Sequence, residues 1–418
     1  AWLATAGASC AAASACGETQ MKKVAVLGAG PAGSFAAERL ARAGLDTIII
    51  DEKLAWEKPC GGGLTFKAYN EYPYLLHNNT PKKVVTETCL AAHKAGEVRI
   101  SLTQPLVIYA RRDLNGMLLD RAERAGAQVE KTRVLEIERK SDRWLLRTRH
   151  GSLEADYCVV ATGARNPLRN VGTEWTRSDT MYALGYYIPS EQNHIDIQFL
   201  ANLEGYIWVF PRCGHLSVGI CGKGEPAQSL RSRLERYLDE KSIRYRGAAF
   251  YGHVLPSLET PAWKKNRVAG EGWIAVGDAA GLVDPITGEG LYYAMRSGDL
   301  ASQVILNESH SLTEKVQAYY ALLRRDFAAD LEFGATIAKR VFLGRFLFNT
   351  VPVRMIHFVR RSPLFRELMQ DLFAGTQSYI GLKKRLLKNL NGTMSEVLVN
   401  WFMRRVVPGE KVLIEPQA

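Results

Sequence analysis

KKVAVLGAGPAGSFAAERLARAGLDTIIID, residues 22–51, decides the fold. Lys22 to Leu27 is a short apolar run that reads as a buried strand. Gly28-Ala-Gly30-Pro31-Ala32-Gly33 follows, and Pro31 to Gly44 carries the small packing residues of a helix. Thr47 to Ile50 is a second apolar strand, stopped by Asp51. Strand, glycine turn, helix and strand make one βαβ unit. Gly28 permits the tight turn, Gly30 lets the backbone approach a pyrophosphate, and Gly33 lets the helix pack closely on the sheet. The helix N-terminus offers free N–H groups and a positive dipole to phosphates. Asp51 lies 18 residues beyond Gly33. A carboxylate there can accept both ribose hydroxyls, which disfavours a 2′-phosphate. A GxGxxG alone is a weak signal, but in this full context it predicts a dinucleotide site.

A second motif stands far downstream. Trp273 to Val276 reads as a buried parallel strand, followed by Gly277-Asp278-Ala-Ala-Gly-Leu-Val-Asp284-Pro285-Ile-Thr-Gly288-Glu289-Gly290. Asp278 at the end of the strand can reach a ribityl hydroxyl. Gly288 and Gly290 would present N–H groups where negative charge develops on a reduced flavin ring. A third segment is Arg111 in YARRDLNGML, at the start of a helix read over Asp113–Ala125. Its guanidinium could clamp the pyrophosphate or the flavin edge, although a lone Arg is more simply a surface residue.

Between these motifs, Glu57–Gly63 is a Pro- and Gly-rich loop and Val84–Ile108 is strand-like. Val129–Arg149 reads as a hairpin around Ser141–Asp142, and Tyr157–Ala161 as another buried strand. Met181–Tyr251 alternates in short segments, as an antiparallel sheet does. Helices dominate after Val276, and Ser311-Leu-Thr-Glu314 is a capping box opening a long one.

At 418 residues, two or three lobes are expected. The net charge of +11 is concentrated late, since residues 331–418 hold fourteen Lys/Arg against six Asp/Glu. Such a surface suits nucleic acid, anionic lipid or a phosphorylated ligand, or is simply a solvated basic tail. No recognised nucleic-acid module accompanies it, so nucleic acid is not the expected partner. Apolar stretches at Val341–Phe348, Val351–Val359 and Leu364–Phe373 are broken by arginines. They read as basic amphipathic helices, either a cap on the protein itself or a peripheral contact with an anionic membrane. Seven cysteines without a CxxC pair, and eight histidines without a ligand-like pair, predict neither a disulfide framework nor a metal site. A reducing, cytoplasmic setting fits, on the inner face of a membrane if the basic helices dock there. Residues 1–20 are Ala-rich and read as a leader or an appended segment outside the fold. No run of 18 apolar uncharged residues predicts a membrane-crossing helix.

Together the three segments resemble FAD-dependent oxidoreductases of the para-hydroxybenzoate hydroxylase fold, and within it the geranylgeranyl reductase family. Lys58-Pro-Cys60-Gly61-Gly62-Gly63-Leu64 is similar to that family's KPCGGGL segment, and Arg111 with Leu114 and Leu118 to its RxxFDxxL segment. Gly205-Tyr206-Ile-Trp208-Val-Phe210-Pro211 resembles its YxWxFP strand, and GDAAGLVDPITGEG is close to the family form throughout. The resemblance runs from Lys22 to about Met295. It implies an α/β protein: a Rossmann-like FAD-binding domain (21–180 and 265–310, with inserted substrate-lobe strands near 84–108), an antiparallel-sheet substrate domain (181–264) and a C-terminal helical region (311–418). It implies FAD contacts from Gly28, Gly30, Pro31, Ala32, Gly33, Asp51, Glu52, Cys60, Gly61, Gly62, Arg111, Ala161, Thr162, Gly163, Gly277, Asp278, Pro285, Gly288, Glu289 and Gly290. It implies a hydrophobic isoprenoid pocket lined by Tyr206, Trp208 and Phe210. Two departures stand out. Thr162-Gly163 replaces the Asp-Gly pair of the hydroxylases, and Gly219-Ile-Cys221-Gly222 replaces the family's GxGG.

The chemistry implied is reduction of carbon–carbon double bonds in a prenyl chain on a lipid, quinone or chlorophyll-like substrate. An isolated alkene accepts hydride poorly, so a well-placed acid is expected, with Cys60 and Tyr206 the candidates by resemblance. Each also has a plain packing account. Only one GxGxxG is present. The electron donor would therefore be external and not tightly bound: NAD(P)H, a ferredoxin or a quinol. A flavin monooxygenase or halogenase is the alternative, with Lys67 a weak candidate for a halogenase lysine. Electron transfer to quinone is the second alternative. A non-enzymatic lipid-binding or scaffolding flavoprotein comes last.

Overall fold

The strand Lys23–Leu27 buries four of its five residues and lies inside a six-stranded sheet. The computed structural model describes residues 23–168, 170–346 and 348–389. The segment 1–20, with Cys10 and Cys16, and the basic stretch beyond Asn389 lie outside the described residues. The sheet runs Ala269–Gly270, Trp273–Ala275, Tyr157–Val160, Lys23–Leu27, Asp46–Ile50, Gln128–Glu130. All pairs are parallel except the short edge pair Ala269–Gly270 with Trp273–Ala275. Its inner strands are apolar without alternation because both faces are covered, as parallel sheets require, while the edge strand Gln128–Glu130 is polar. The helix Pro31–Arg42 packs against the helices Arg111–Arg124 and Leu291–Leu306. The hairpin read around Ser141–Asp142 is Val134–Lys140 with Arg143–Thr148, extended by Gly151–Ala155 into a separate three-stranded sheet.

The second sheet has eight strands. They run Ala249–Pro256, Thr180–Ile188, His215–Lys223, Glu204–Arg212, Ile195–Phe199, Lys82–Ala92, Gly96–Tyr109, Gly63–Leu64. Neighbours are antiparallel except Ile195–Phe199 with Lys82–Ala92, which run parallel. Alternation sorts the strand Glu204–Arg212 by face. Ile207 and Val209 point into a core under the helix Ala227–Glu240, while Tyr206, Trp208 and Phe210 point the other way. That helix interrupts the region read as continuous sheet. Leu230, Leu234 and Leu238, spaced four apart and all buried, carry it.

The capping box predicted at Ser311 is present. Ser311 Oγ accepts from the Glu314 N–H at 3.3 Å, and the Glu314 carboxylate accepts from the Ser311 N–H at 2.8 Å. Beyond it the helices Ala329–Leu343, Val351–Arg361, Pro363–Ala374 and Tyr379–Asn389 fold over the aromatic face of the second sheet. Val353, Ile356, Val359, Leu368 and Met369 are buried there. The apolar faces of these amphipathic helices are therefore used within the protein; Arg360, Arg361 and Arg366 are exposed, while Arg354 and Arg385 line the cavity beneath the helices. Among the described residues, no helix is long and apolar enough to cross a membrane.

Candidate active site

The glycine turn is shaped by what surrounds it. Gly28 has φ +121°, and a Cβ there would stand 2.3 Å from the Ala161 carbonyl oxygen. A Cβ on Gly33 would stand 1.9 Å from the Gly28 oxygen. Both positions exclude any side chain. At Gly30 nothing lies within 4 Å of where a Cβ would be, so the turn opens onto free space at the helix N-terminus. Pro31 and Ala32 begin the helix and are buried. Asp51 closes the turn from below, accepting the Ala29 and Lys53 N–H groups at 2.8 Å each. Glu52 points to the rim, where it pairs at 3.7 Å with Arg133 and 3.8 Å with Arg149.

Three other segments meet this turn. Ala161 donates its N–H to Leu27 O, which brings Thr162 and Gly163 alongside. Gly277 packs against Ala32 and donates to Ser297 Oγ at 2.9 Å, which sets Asp278 above the helix N-terminus. Asp278 pairs with Lys58 at 2.7 Å. Burial pushes the Asp278 carboxyl up, but the Lys58 ammonium beside it holds it below the usual range. Arg111 is buried at the first turn of its helix, and its guanidinium reaches Asn115 Oδ1 at 3.3 Å. His253, on the second sheet, is held to a pKa of about 4 by burial and by the neighbouring Lys58 charge. Buried polar atoms are normally partnered. Arg111 Nε and His253 Nε2 are buried without a hydrogen-bond partner. An open glycine turn, a carboxylate, a lysine, a buried arginine and two unpaired nitrogen atoms suit an extended, phosphate-bearing cofactor such as FAD.

The loop Lys58–Gly63 crosses from this groove to the second sheet. A Cβ at Gly61 or Gly63 would meet the Phe210 ring at 3.3 or 3.0 Å. Gly62 has φ +86°, and a Cβ there would stand 2.0 Å from Tyr109 O. Arg212, fully buried, donates to Cys60 O at 2.5 Å and to the Glu57 carboxylate. Ser217 Oγ donates to the same Cys60 carbonyl at 2.9 Å. Glu57 in turn accepts the N–H groups of Arg111 and Arg112 at 3.0 and 2.9 Å. Burial pushes Glu57 up, yet the Arg212 charge and these N–H groups hold it below the usual carboxylate range. The Cys60 thiol is half-buried and accepts the Gly62 N–H at 3.3 Å.

Opposite lies the turn Asp284–Gly290. Asp284 accepts the N–H groups of Ile286 and Thr287 at 2.8 and 2.9 Å, and the Tyr379 hydroxyl at 2.9 Å. Pro285 packs against the helix Ala329–Leu343 at Gly334. The Tyr206 hydroxyl donates to the Thr287 carbonyl and lies where a Gly288 Cβ would be 3.1 Å away. Burial holds that hydroxyl protonated, well above its usual range. Gly290 sits beside Asp278, 3.6 Å from its carboxylate to the place a Cβ would take.

Between Cys60–Gly63 and Thr287–Gly290 opens a cavity of about 750 Å³, within the roughly 300–1,000 Å³ of ligand sites in general. It continues over Tyr206, Trp208 and Phe210 and ends among Met355, Phe358 and Phe365. Its wall is mostly apolar. Gly219 makes room for Trp208: a Cβ there would be 2.3 Å from the indole. Lys67 lies at the cavity edge, with its ammonium 4.5 Å from the centre of the Tyr292 ring.

The structure thus brings the predicted glycines, Asp51, Cys60, Arg111, Asp278, Tyr206 and Trp208 into one groove and cavity, and leaves Glu52 at the rim. Sequence reading missed Lys58, Glu57, Arg212, His253 and Tyr379. Lys58 opens one quoted motif and Arg212 directly follows another, so both could have been found there. His253 and Tyr379 carried no local signal.

A family model for pyridine nucleotide-disulphide oxidoreductases matches residues 22–184. The menaquinone reductase of Mycobacterium tuberculosis is 29% identical over 360 residues, covering 79% of this chain and 87% of that protein. The chloroplastic geranylgeranyl diphosphate reductase of Oryza sativa subsp. japonica is 29% identical over 333 residues, 71% of this chain and 68% of that one. A crystal structure of a geranylgeranyl bacteriochlorophyll reductase-like protein from Thermoplasma acidophilum superposes with a TM-score of 0.73, covering 88% of this chain and 100% of that one at 22% identity. With the glycine turn, the Asp278 motif and the KPCGGG loop assembled in one site, this chain is an FAD oxidoreductase similar to the geranylgeranyl reductases.

Proposed function

We propose that the protein reduces carbon–carbon double bonds in a prenyl chain carried by a lipid, quinone or chlorophyll-like molecule. The observation that carries this reading is the long apolar cavity that begins at the two glycine loops. The glycine-lined end suits a flavin and the apolar end a hydrocarbon. Two relatives, a menaquinone reductase and a geranylgeranyl diphosphate reductase by name, point the same way.

When bound, FAD would supply the hydride. Gly28, Gly30 and Gly33 would let its pyrophosphate approach, with Asp51 on the ribose, Asp278 on the ribityl chain and Arg111 on the phosphates. Lys58 would exchange part of its contact with Asp278 for the cofactor. Gly61, Gly62, Gly288 and Gly290 would border the ring, and Tyr206, Trp208 and Phe210 would hold the prenyl chain and exclude water. The chain carries a single GxGxxG, which favours an external donor such as NAD(P)H, a ferredoxin or a quinol over one held in a second fold.

We also infer peripheral contact with an anionic membrane, through the short hairpin at 345–350 rather than the helix faces. Phe348 is 99% exposed at its tip. Leu343 and the cavity-lining Leu364 are 38% and 46% exposed. Exposed Arg345 opens the same hairpin. Such a set suits an interface between hydrocarbon and anionic headgroups. Co-sedimentation with anionic vesicles, lost in Phe348→Asp, tests it.

The central test is anaerobic. The FAD-loaded protein is reduced, then mixed with geranylgeranyl diphosphate or a menaquinone. The expected result is flavin reoxidation with a product heavier by about two hydrogens per turnover. No reoxidation by either, with rapid product formation once oxygen and an aromatic substrate are added, would overturn the reading in favour of a monooxygenase or halogenase.

A further inference from the structure

Saturating an alkene needs a hydride at one carbon and a proton at the other, and the source of that proton is open. At the flavin end of the cavity most proton-bearing side chains are already committed. The Tyr206 hydroxyl donates to Thr287 O. The Tyr379 hydroxyl donates to Asp284, which also accepts two backbone N–H groups. The Tyr251 hydroxyl lies between Ser217 Oγ and the Val218 carbonyl. Asp330 accepts the N–H groups of Tyr379 and Ile380.

Glu289 differs. It lines the cavity between Gly288 and Gly290, on a turn fixed from both sides. Its N–H donates to Thr287 Oγ1 at 3.2 Å, and its carbonyl accepts the Asp284 N–H at 2.8 Å. One carboxyl oxygen accepts the Tyr292 N–H at 2.7 Å. The Leu291 N–H also faces this carboxyl, which has no hydroxyl or side-chain donor of its own among the contacts above and lies in the cavity lining.

We propose that Glu289 is the proton donor of the double-bond reduction, acting from the same loop that borders the flavin. This rests on the prenyl-reductase reading. The alkene π bond breaks. Bound reduced FAD would supply the hydride for the first C–H bond and give up two electrons, which the external donor would replace. The Glu289 O–H breaks and its proton forms the second C–H bond, and the carboxylate takes a proton back from solvent.

The surroundings favour the acid form. Burial pushes the Glu289 carboxyl up to about 7, the nearby Asp284 charge adds to this, and the Tyr292 N–H and Lys67 oppose it. The groups that face it are Asp284 on its own turn, Lys67 on the helix Phe66–Glu71, and Tyr292 and Tyr293 on the helix Leu291–Leu306. Tyr379 faces it through Asp284. A general acid works best with a pKa near the working pH.

The test compares wild type with Glu289→Gln and Glu289→Asp, all FAD-loaded. Gln keeps an oxygen for the Tyr292 N–H, so fold and flavin content are expected to survive, and anaerobic photoreduction of the flavin is expected to be unchanged. Reoxidation by geranylgeranyl diphosphate in a single turnover is expected to slow about 100-fold or more in Glu289→Gln. Glu289→Asp is expected to fall between. The wild-type rate constant should drop about tenfold per pH unit above neutrality, a dependence absent from Glu289→Gln. Independently of turnover, infrared titration should show a protonated-carboxyl band that disappears near pH 7 in wild type and is missing in Glu289→Gln. Wild-type-like rates and pH profile in Glu289→Gln would overturn the donor role alone. A wild type that no prenyl substrate reoxidises would overturn the reductase reading and the donor role with it.

Discussion

Arg212→Met probes the joint between the two halves of the site. The methionine keeps most of the stem volume but removes a charge that is fully buried and donates to Glu57, Cys60 O and Gly61 O. The Glu57 side chain is only 20% exposed and would lose its cation. Removing one partner of a buried ion pair costs about 3–5 kcal/mol. Glu57 retains the two N–H groups of Arg111 and Arg112, and Cys60 O retains Ser217 Oγ, so the lower end, about 3 kcal/mol, is expected. The assay is urea unfolding of the FAD-loaded protein, followed by flavin and tryptophan fluorescence, for Arg212→Met, Glu57→Gln and the double variant. The pair should show a coupling of at least about 1.5 kcal/mol, the double variant being less damaged than the sum. The pH dependence has a fixed sign. Glu57 is depressed in the folded state, so its contribution is present above the unfolded value near 4.5 and is lost as pH falls through the folded one. That acid-side loss should be absent from Arg212→Met. A loss under about 1 kcal/mol, or strict additivity in the cycle, would refute the joint.

Three further outcomes are expected. Gly33→Ala would drive a methyl to 1.9 Å from the Gly28 carbonyl, so the purified variant should carry little FAD; full flavin absorbance per chain would contradict the turn geometry. Tyr379→Phe removes the hydroxyl that holds Asp284, a bond to a charged group worth about 1.5–3 kcal/mol, and the amides of Ile286 and Thr287 should exchange hydrogen faster, while unchanged exchange would show that the turn holds itself. Glu289 is raised in the folded state, so its contribution is intact below the unfolded value near 4.5 and is lost as pH climbs through about 7. Glu289→Gln should therefore gain stability over wild type at pH 8 and not at pH 5, by on the order of 2 kcal/mol, read as a difference in Tm.

The parts of this molecule legible in its sequence are those where neighbouring residues carry the signal. Lys23–Leu27 and Asp46–Ile50 show as apolar runs, the glycine turn stands between them, and Glu314 caps Ser311 three residues away. The helix Ala227–Glu240 was equally local, in its leucines four apart, but it sits inside an alternating region whose period masked it. The assembled site is different, because its contacts join distant segments. Lys58 meets Asp278 across 220 residues, and Arg212 meets Cys60 across 152. Nothing beside Tyr379 marks it as the partner of Asp284, 95 residues earlier. A buried hydroxyl–carboxylate bond of that kind is visible only once the C-terminal helices are folded back.

That last contact bears on how the site works as a unit. The Asp284–Gly290 turn carries the two glycines proposed to border the flavin and the carboxyl of Glu289, and Asp284 holds it by accepting from Ile286, Thr287 and Tyr379 together. Tyr379 begins the helix that Asp330 caps through the Tyr379 and Ile380 N–H groups, and Asp330 belongs to the helix that also presents Phe342 to the Tyr206 ring. The same helical layer thus forms the far wall of the apolar cavity and the back support of the Asp284–Gly290 turn. The aromatic wall and the turn that carries Glu289 are tied to one helix, through Phe342 on the Tyr206 side and through Asp330 and Tyr379 on the Asp284 side.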